Sequence, residues 1–209
     1  MKMKPSVNTC AGKPIKAAVN TYSSYLISGY NLYAEMASKS KTNDETLIHN
    51  SACILFATSS IEAKLNELIS ISSICYFDNP ESFWHKIKKQ IKELSIEKKW
   101  NIVALNNKST IWDNSKEPFQ SYNLITSLRN ELVHFKGELL PKDKSPTKKI
   151  KGLMNLLKIK SSASFIEDDC STWCSDLFQN KKLGKWVAEK TNSFESQINK
   201  LLIQSSKTA

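Results

Sequence analysis

The sequence predicts an all-α protein, an antiparallel bundle of about five main helices. Two observations carry that expectation. Apolar residues recur at three- and four-residue spacing along most of the chain, the period of one helix face. The 209 residues also hold only 5 Gly and 6 Pro, too few turn formers for the hairpins of a sandwich or barrel. The length suits a single domain able to bury a core without disulfide or metal staples. Residues 1–13, with Pro5 and Gly12 and no periodicity, read as a flexible leader, and 14–209 as one helical domain.

A first helix is expected from about Ile15 to Ser38. The second has the strongest pattern: Asn43 or Asp44 as cap, then Leu47, Ile48, Ala52, Leu55, Phe56, Ser59, Ala63 and Leu68, continuing to about Tyr76. Asp78-Asn79-Pro80 ends it. A third helix, from about Glu81 to Trp100, sets Trp84, Ile87, Ile91 and Leu94 on one stripe with lysines opposite. Residues 101–117 are polar and irregular, anchored by Ile111 and Trp112. Pro118 suits the first turn of a fourth helix, in which Leu124, Leu128 and Leu132 form the inward row and Gly137 is the stop. A basic connection follows, and a short helix from Pro146 to about Leu157. From about Ser164 to Gln204, one or two helices carry Trp173, Leu177, Leu183, Trp186, Val187, Phe194, Ile198 and Leu201 as their apolar side.

The formal net charge is +10, from 30 basic and 20 acidic residues, spread along the chain with no basic tail. A positive surface favours anionic partners such as nucleic acid without naming one; solubility is the plain alternative. Of the basic residues, Arg129 is the only Arg and the rest are Lys. A guanidinium presents a planar fork of donors that grips phosphate or carboxylate in two places, which an ammonium does not. No stretch approaches 18 uncharged apolar residues, so no membrane span is expected. The opening Met-Lys-Met-Lys has no apolar signal core, and the expected location is cytoplasmic. Neither standard glycine-rich phosphate loop is present.

Five cysteines, Cys10, Cys53, Cys75, Cys170 and Cys174, are an odd number without an export signal, so a disulfide framework is not expected. Cys170 and Cys174 share a helix face but have no His near them in sequence, and the reading is of buried thiols, with no metal and no cofactor. Of the three histidines, His49 and His85 have no partner nearby in sequence. His134 closes the segment Leu128-Arg129-Asn130-Glu131-Leu132-Val133-His134. On a helix it lies roughly 40° from Asn130 and 140° from Arg129. A helix C-terminus favours imidazolium, a ready proton donor.

Arg129-Asn130-x-x-x-His134 resembles the signature of HEPN domains, the nucleotide-binding and ribonuclease superfamily of higher eukaryotes and prokaryotes. The segment Ala52–Leu68, apolar with its Glu62-Ala63 pair, resembles the long upstream helix of such proteins. The two segments are residues 52–68 and 128–134. The resemblance implies a homodimer whose two Arg–His helices build one composite cleft, and a metal-independent endoribonuclease working through the RNA 2′-hydroxyl. It implies that Arg129 clamps phosphate, that His134 exchanges protons, that Asn130 holds the ring or the phosphate, and that Glu62 orients Arg129. Lys136, Lys142, Lys144, Lys148 and Lys149 would track the RNA backbone. Toxin or phage-defence roles, with an antitoxin or regulatory protein as partner, follow from the same resemblance. HEPN toxins paired with a nucleotidyltransferase often carry a Tyr two residues past the His; here Lys136 stands there. The alternatives are a catalytically silent HEPN-like module that binds RNA, a nucleotide or a protein, and an unrelated bundle in which Arg129 pairs with Glu62 or Glu131.

Overall fold

The structure, a computed structural model, describes residues 21–75, 83–133, 146–159 and 173–205. Among these it is all-α, without a strand: α1 (Ser23–Lys39), α2 (Asn43–Cys75), α3 (Phe83–Gln90), α4 (Ile96–Asn106), α5 (Phe119–Val133), α6 (Lys148–Leu157), α7 (Trp173–Phe178) and α8 (Lys181–Ser205). Five of them reach eleven residues or more. The leader 1–13 and the stop at Gly137 lie outside the described residues.

The first two helices form an antiparallel hairpin closed by three residues, with α2 as its long member at 33 residues. Its cap is Thr42, not Asn43 or Asp44. The Thr42 hydroxyl accepts from Glu45 N at 3.2 Å, and Glu45 Oε2 accepts from the backbone N–H groups of Lys41 and Thr42. This is a capping box, Thr-x-x-Glu. Helix α1 begins at Ser23, eight residues later than Ile15. Its cap comes from another helix: Ser23 N and Oγ both donate to the Glu67 carboxylate of α2, at 2.8 and 2.6 Å. A carboxylate there satisfies an orphan N–H and opposes the positive end of the helix dipole.

The expected third helix is broken. Helix α3 stops at Gln90, one 3₁₀ turn spans Ile91–Glu93, and Leu94 is extended. Ser95 then caps α4 by accepting from Lys98 N. Trp100, expected at a helix end, therefore lies mid-helix, and the helix continues through Asn106 into a stretch expected to be irregular. Trp112 is buried as expected, whereas Ile111 is exposed.

Two core clusters stack along α2. The first joins Tyr30, Ala34, Cys53, Ile54, Ala57, Ile125, Leu128, Ile150, Leu153, Leu177, Leu183 and Val187, from α1, α2, α5, α6, α7 and α8. The second joins Ile61, Leu65, Ile69, Trp100, Val103, Phe119, Tyr122, Phe194 and Ile198. Its centre is aromatic: Trp100 meets Phe119 and Phe194 edge-on with centroids 4.9 and 5.3 Å away, the favourable quadrupole arrangement. Leu128 is fully buried, with Leu124 and Leu132 half-buried beside it, so the inward row of α5 is as expected.

The helices approach closely at Gly184. A Cβ there would lie 2.7 Å from Asn50 Oδ1 and 3.2 Å from Ala34 Cα. Gly184→Ala is therefore expected to destabilise the protein by about 2 kcal/mol through overpacking. By contrast, a Cβ on Gly152, inside α6, would meet nothing within 4 Å. Gly152→Ala is expected to stabilise by about 0.5–1 kcal/mol through helix propensity. Thermal melting checks both, and equal or like-signed shifts would contradict this packing.

Glu195 of α8 is buried, and its Oε1 has no partner among the described residues. Burial raises its pKa, while Lys64 and the Tyr30 hydroxyl lower it. Its protonated form thus favours the fold. That contribution is complete below the unfolded glutamate pKa, about 4.3, and is lost as pH rises through the raised folded value. Relative to Glu195→Gln, the wild type is expected to lose stability over this rise, as measured by urea unfolding across a pH series.

Candidate active site

Helix α5 positions the Arg129 motif. Leu128 is fixed in the first cluster, and the next residue, Arg129, emerges half-buried on the flank that carries Tyr122 and Thr126. Its Nη1 donates to Oδ1 of exposed Asn130 at 3.2 Å. His134, Lys136, Lys142 and Lys144 lie outside the described residues, so the spacing of Arg129 and Asn130 to His134 rests on the sequence.

Glu62 of α2 lies on a helix that packs against α5. Its carboxylate is held by Lys99 of α4, with Nζ to Oε1 at 3.0 Å. The Lys99 side chain is 1% exposed and that of Glu62 is 55% exposed. Glu131 acts on the Cys174 thiol of α7. No carboxylate among the described residues stands at ion-pair distance from Arg129. Its guanidinium is left with a neutral amide partner.

The Tyr122 phenol of α5 is buried. Burial pushes its pKa up; the Thr126 hydroxyl lowers it, Glu62 raises it and Arg129 lowers it. Glu62 and Lys99 pair across α2 and α4, and Tyr122, Thr126 and Arg129 share one face of α5. Lys99 and Tyr122 were not among the residues singled out from sequence. Lys99 was legible in principle: once Ser95 is the cap, Lys99 falls roughly 40° from Val103, on the apolar face. The run Lys98-Lys99 masked it as one more solvated pair.

Lys148 and Lys149 are exposed in the first turn of α6, which Thr147 caps by accepting from Ile150 N. Lys149, Gly152 and Leu156 line a cleft of about 230 Å³ with Gln120, Leu124 and Trp186. Gln120 and Leu124 lie roughly 140–180° around α5 from Arg129. The cleft is therefore on another flank of the helix from the motif. His49 is half-buried, with Nδ1 3.0 Å from the Ser40 hydroxyl; Ser40 also donates to Met36 O and is buried, a helix-end contact. The Cys53 thiol is pushed up to about 12 by burial and Cys174 up to about 11 by burial and Glu131, so both stay protonated. Among the described residues, no cluster of three His, Cys, Asp or Glu is placed to hold a metal, and no helix is long and apolar enough to cross a membrane.

Comparison with protein-family models, with curated proteins and with solved structures finds no match.

Removing Glu62 leaves the Lys99 ammonium buried and alone. A broken buried pair usually loses roughly 3–5 kcal/mol. Glu62 is half in water, which discounts its share. Glu62→Ala is expected to destabilise by about 2 kcal/mol, and Lys99→Met, which removes the buried charge itself, by less than about 1. Urea denaturation compares them, and the reverse ranking would contradict the pair's geometry.

Proposed function

We propose that the chain is a HEPN-like, metal-independent endoribonuclease that acts as a homodimer. One observation carries this reading most directly. The only Arg sits on a core-anchored helix with no carboxylate partner among the described residues, while Glu62 is held by Lys99. A structural Arg in a bundle is ordinarily paired, and the competing reading required that pairing. A half-buried guanidinium without a counter-ion among the described residues is suited to receive a phosphate bidentately.

In this reading a base removes the proton of the RNA 2′-hydroxyl, and the 2′-oxygen attacks phosphorus. The bond to the 5′-oxygen breaks, and an acid protonates the leaving oxygen. The products are a 2′,3′-cyclic phosphate and a 5′-hydroxyl. Base and acid act on opposite sides of phosphorus, and one chain supplies one His134; a two-fold dimer supplies two. Arg129 neutralises the charge that builds on the non-bridging oxygens. Lys148, Lys149 and Lys151 cluster in the first turn of α6, where cations oppose the helix dipole and an RNA phosphate would relieve the repulsion. A role as a toxin or phage-defence effector held by a protein partner is part of the same proposal.

The second reading, a non-cleaving RNA-binding module, uses the same bare guanidinium without proton transfer. Purified protein is expected to cleave single-stranded RNA in EDTA. His134→Ala should lower the rate about 10²–10⁴-fold and Arg129→Lys about 10²-fold. Salt-sensitive binding without cleavage would favour the module. Absence of both activities would sink the proposal.

A further inference from the structure

The α1–α2 hairpin turns an apolar face outward. On α1, Tyr25, Leu32 and Met36 lie within about 40° of one another around the helix, opposite the buried Tyr30, Ala34 and Ala37. On α2, Ile48 and Leu55 continue the apolar spacing expected to point inward, yet both are exposed, because Cys53, Ile54, Ala57 and Ile61 hold the other side of the helix in the core. These five outward side chains are 38–75% exposed. The seam between the two rows is filled. A Cβ on Gly29 would lie 2.5 Å from the Phe56 ring, so glycine lets that ring lie against α1. Tyr33 packs on Phe56 with centroids 5.4 Å apart. Both rings are half-buried, and they join the rows into one surface across the two helices.

The same face is uncharged. No Asp, Glu, Lys or Arg occurs in residues 22–34 or 46–61, in a chain that is 24% charged. His49, within the second stretch, is turned to the Ser40 hydroxyl, and Glu35 and Lys39 at the margin pair with each other. A helix face that meets only water ordinarily carries charged residues, and exposed apolar side chains gathered in one patch mark a contact surface. Charge selects the occupant. Nucleic acid and anionic lipid seek lysine, which neither stretch supplies. An acidic protein would be drawn to the lysines elsewhere on a surface of net charge +10. Two copies of the chain repel one another wherever lysines meet, and at the hairpin face they touch without like charges. We propose that this face, built from Tyr25, Leu32, Met36, Ile48 and Leu55, is the interface between two copies of the chain, packed face to face about a two-fold axis. Exposure and charge carry this assignment. The ribonuclease-type reading calls for a dimer but does not name the hairpin, and a dimer through the hairpin stands or falls independently of RNA cleavage.

Light scattering on the eluting wild-type chain is expected to give a dimer, twice 23.7 kDa, at roughly 50 μM, above a dissociation constant of order 1 μM. Leu32→Lys/Leu55→Lys and Leu32→Glu/Leu55→Glu each put like charges on both copies. Either is expected to raise the dissociation constant about 100-fold and to elute as a monomer. Mixed in equal parts, the two variants are expected to form a dimer again, because each face then meets its opposite charge, and recovery on mixing shows that both are folded. Leu105→Lys/Ile111→Lys places the same charges on exposed apolar side chains outside the hairpin and serves as the control that stays dimeric. A wild type that remains monomeric overturns the inference, whether another part of the chain or a different protein covers the face. A dimer that survives both hairpin variants overturns it as well, as does a mixture that stays monomeric while each variant melts like the wild type. RNA binding and cleavage are read on the same samples: a wild-type dimer that the hairpin charges break, but that neither binds nor cleaves RNA, supports this interface and fails the ribonuclease reading alone.

Discussion

The bundle depends on one close crossing, where α8 meets α1 and α2 at Gly184. With no side chain, Gly184 lets Ala34 and Asn50 approach its backbone to distances that a methyl group would contest. Asn50 then donates to Phe178 O and Asn180 O, satisfying carbonyls at the turn between α7 and α8. The buried Cys53 thiol faces Tyr30 O and Gly184 O at the same crossing. The Asn50 amide nitrogen and the Cys53 thiol are therefore paired where the helices are nearest, and the first core cluster closes around them. The position of α8 along the hairpin follows from this contact.

From there α8 carries Phe194 and Ile198 into the second cluster, where Trp100, Trp112, Phe119 and Tyr122 surround Phe194. This aromatic centre seats the start of α5, while Leu128 seats its end in the first cluster. Helix α5 is held at both ends, and Arg129 inherits that rigidity one residue past Leu128. A guanidinium on such a helix has a defined direction, which matters when the ligand is a phosphate to be gripped in two places.

Much of the candidate site was legible as a list of residues, and little of it as an arrangement. Arg129 stood out because its residue type is unique in a chain rich in Lys. Its neighbour Asn130 followed from spacing. That Glu62 would face Lys99 rather than Arg129 depends on where α4 crosses α2, a contact between residues 37 apart in sequence. Periodicity describes the face of one helix at a time and says nothing of which charges meet across two. The broken third helix had the same cause on a smaller scale. The stripe from Trp84 to Leu94 continued the helical period, while Ser95 offered a local cap that ended it.

The sequence by itself determined the helical class, the extent of α2, the inward row of α5 and the apolar face of α8. Those are properties of spacing and composition, although α2 buries Cys53, Ile54, Ala57, Ile61 and Leu65 and leaves Ile48 and Leu55 of the expected stripe exposed. Only the tertiary structure decided that Glu67 caps α1 from another helix, that Gly184 is a crossing point, and that the buried Lys99 ammonium holds the Glu62 carboxylate. Those outcomes depend on burial, and burial is set by how all the helices pack together: an ammonium withdrawn from water, as at Lys99, is held by a carboxylate.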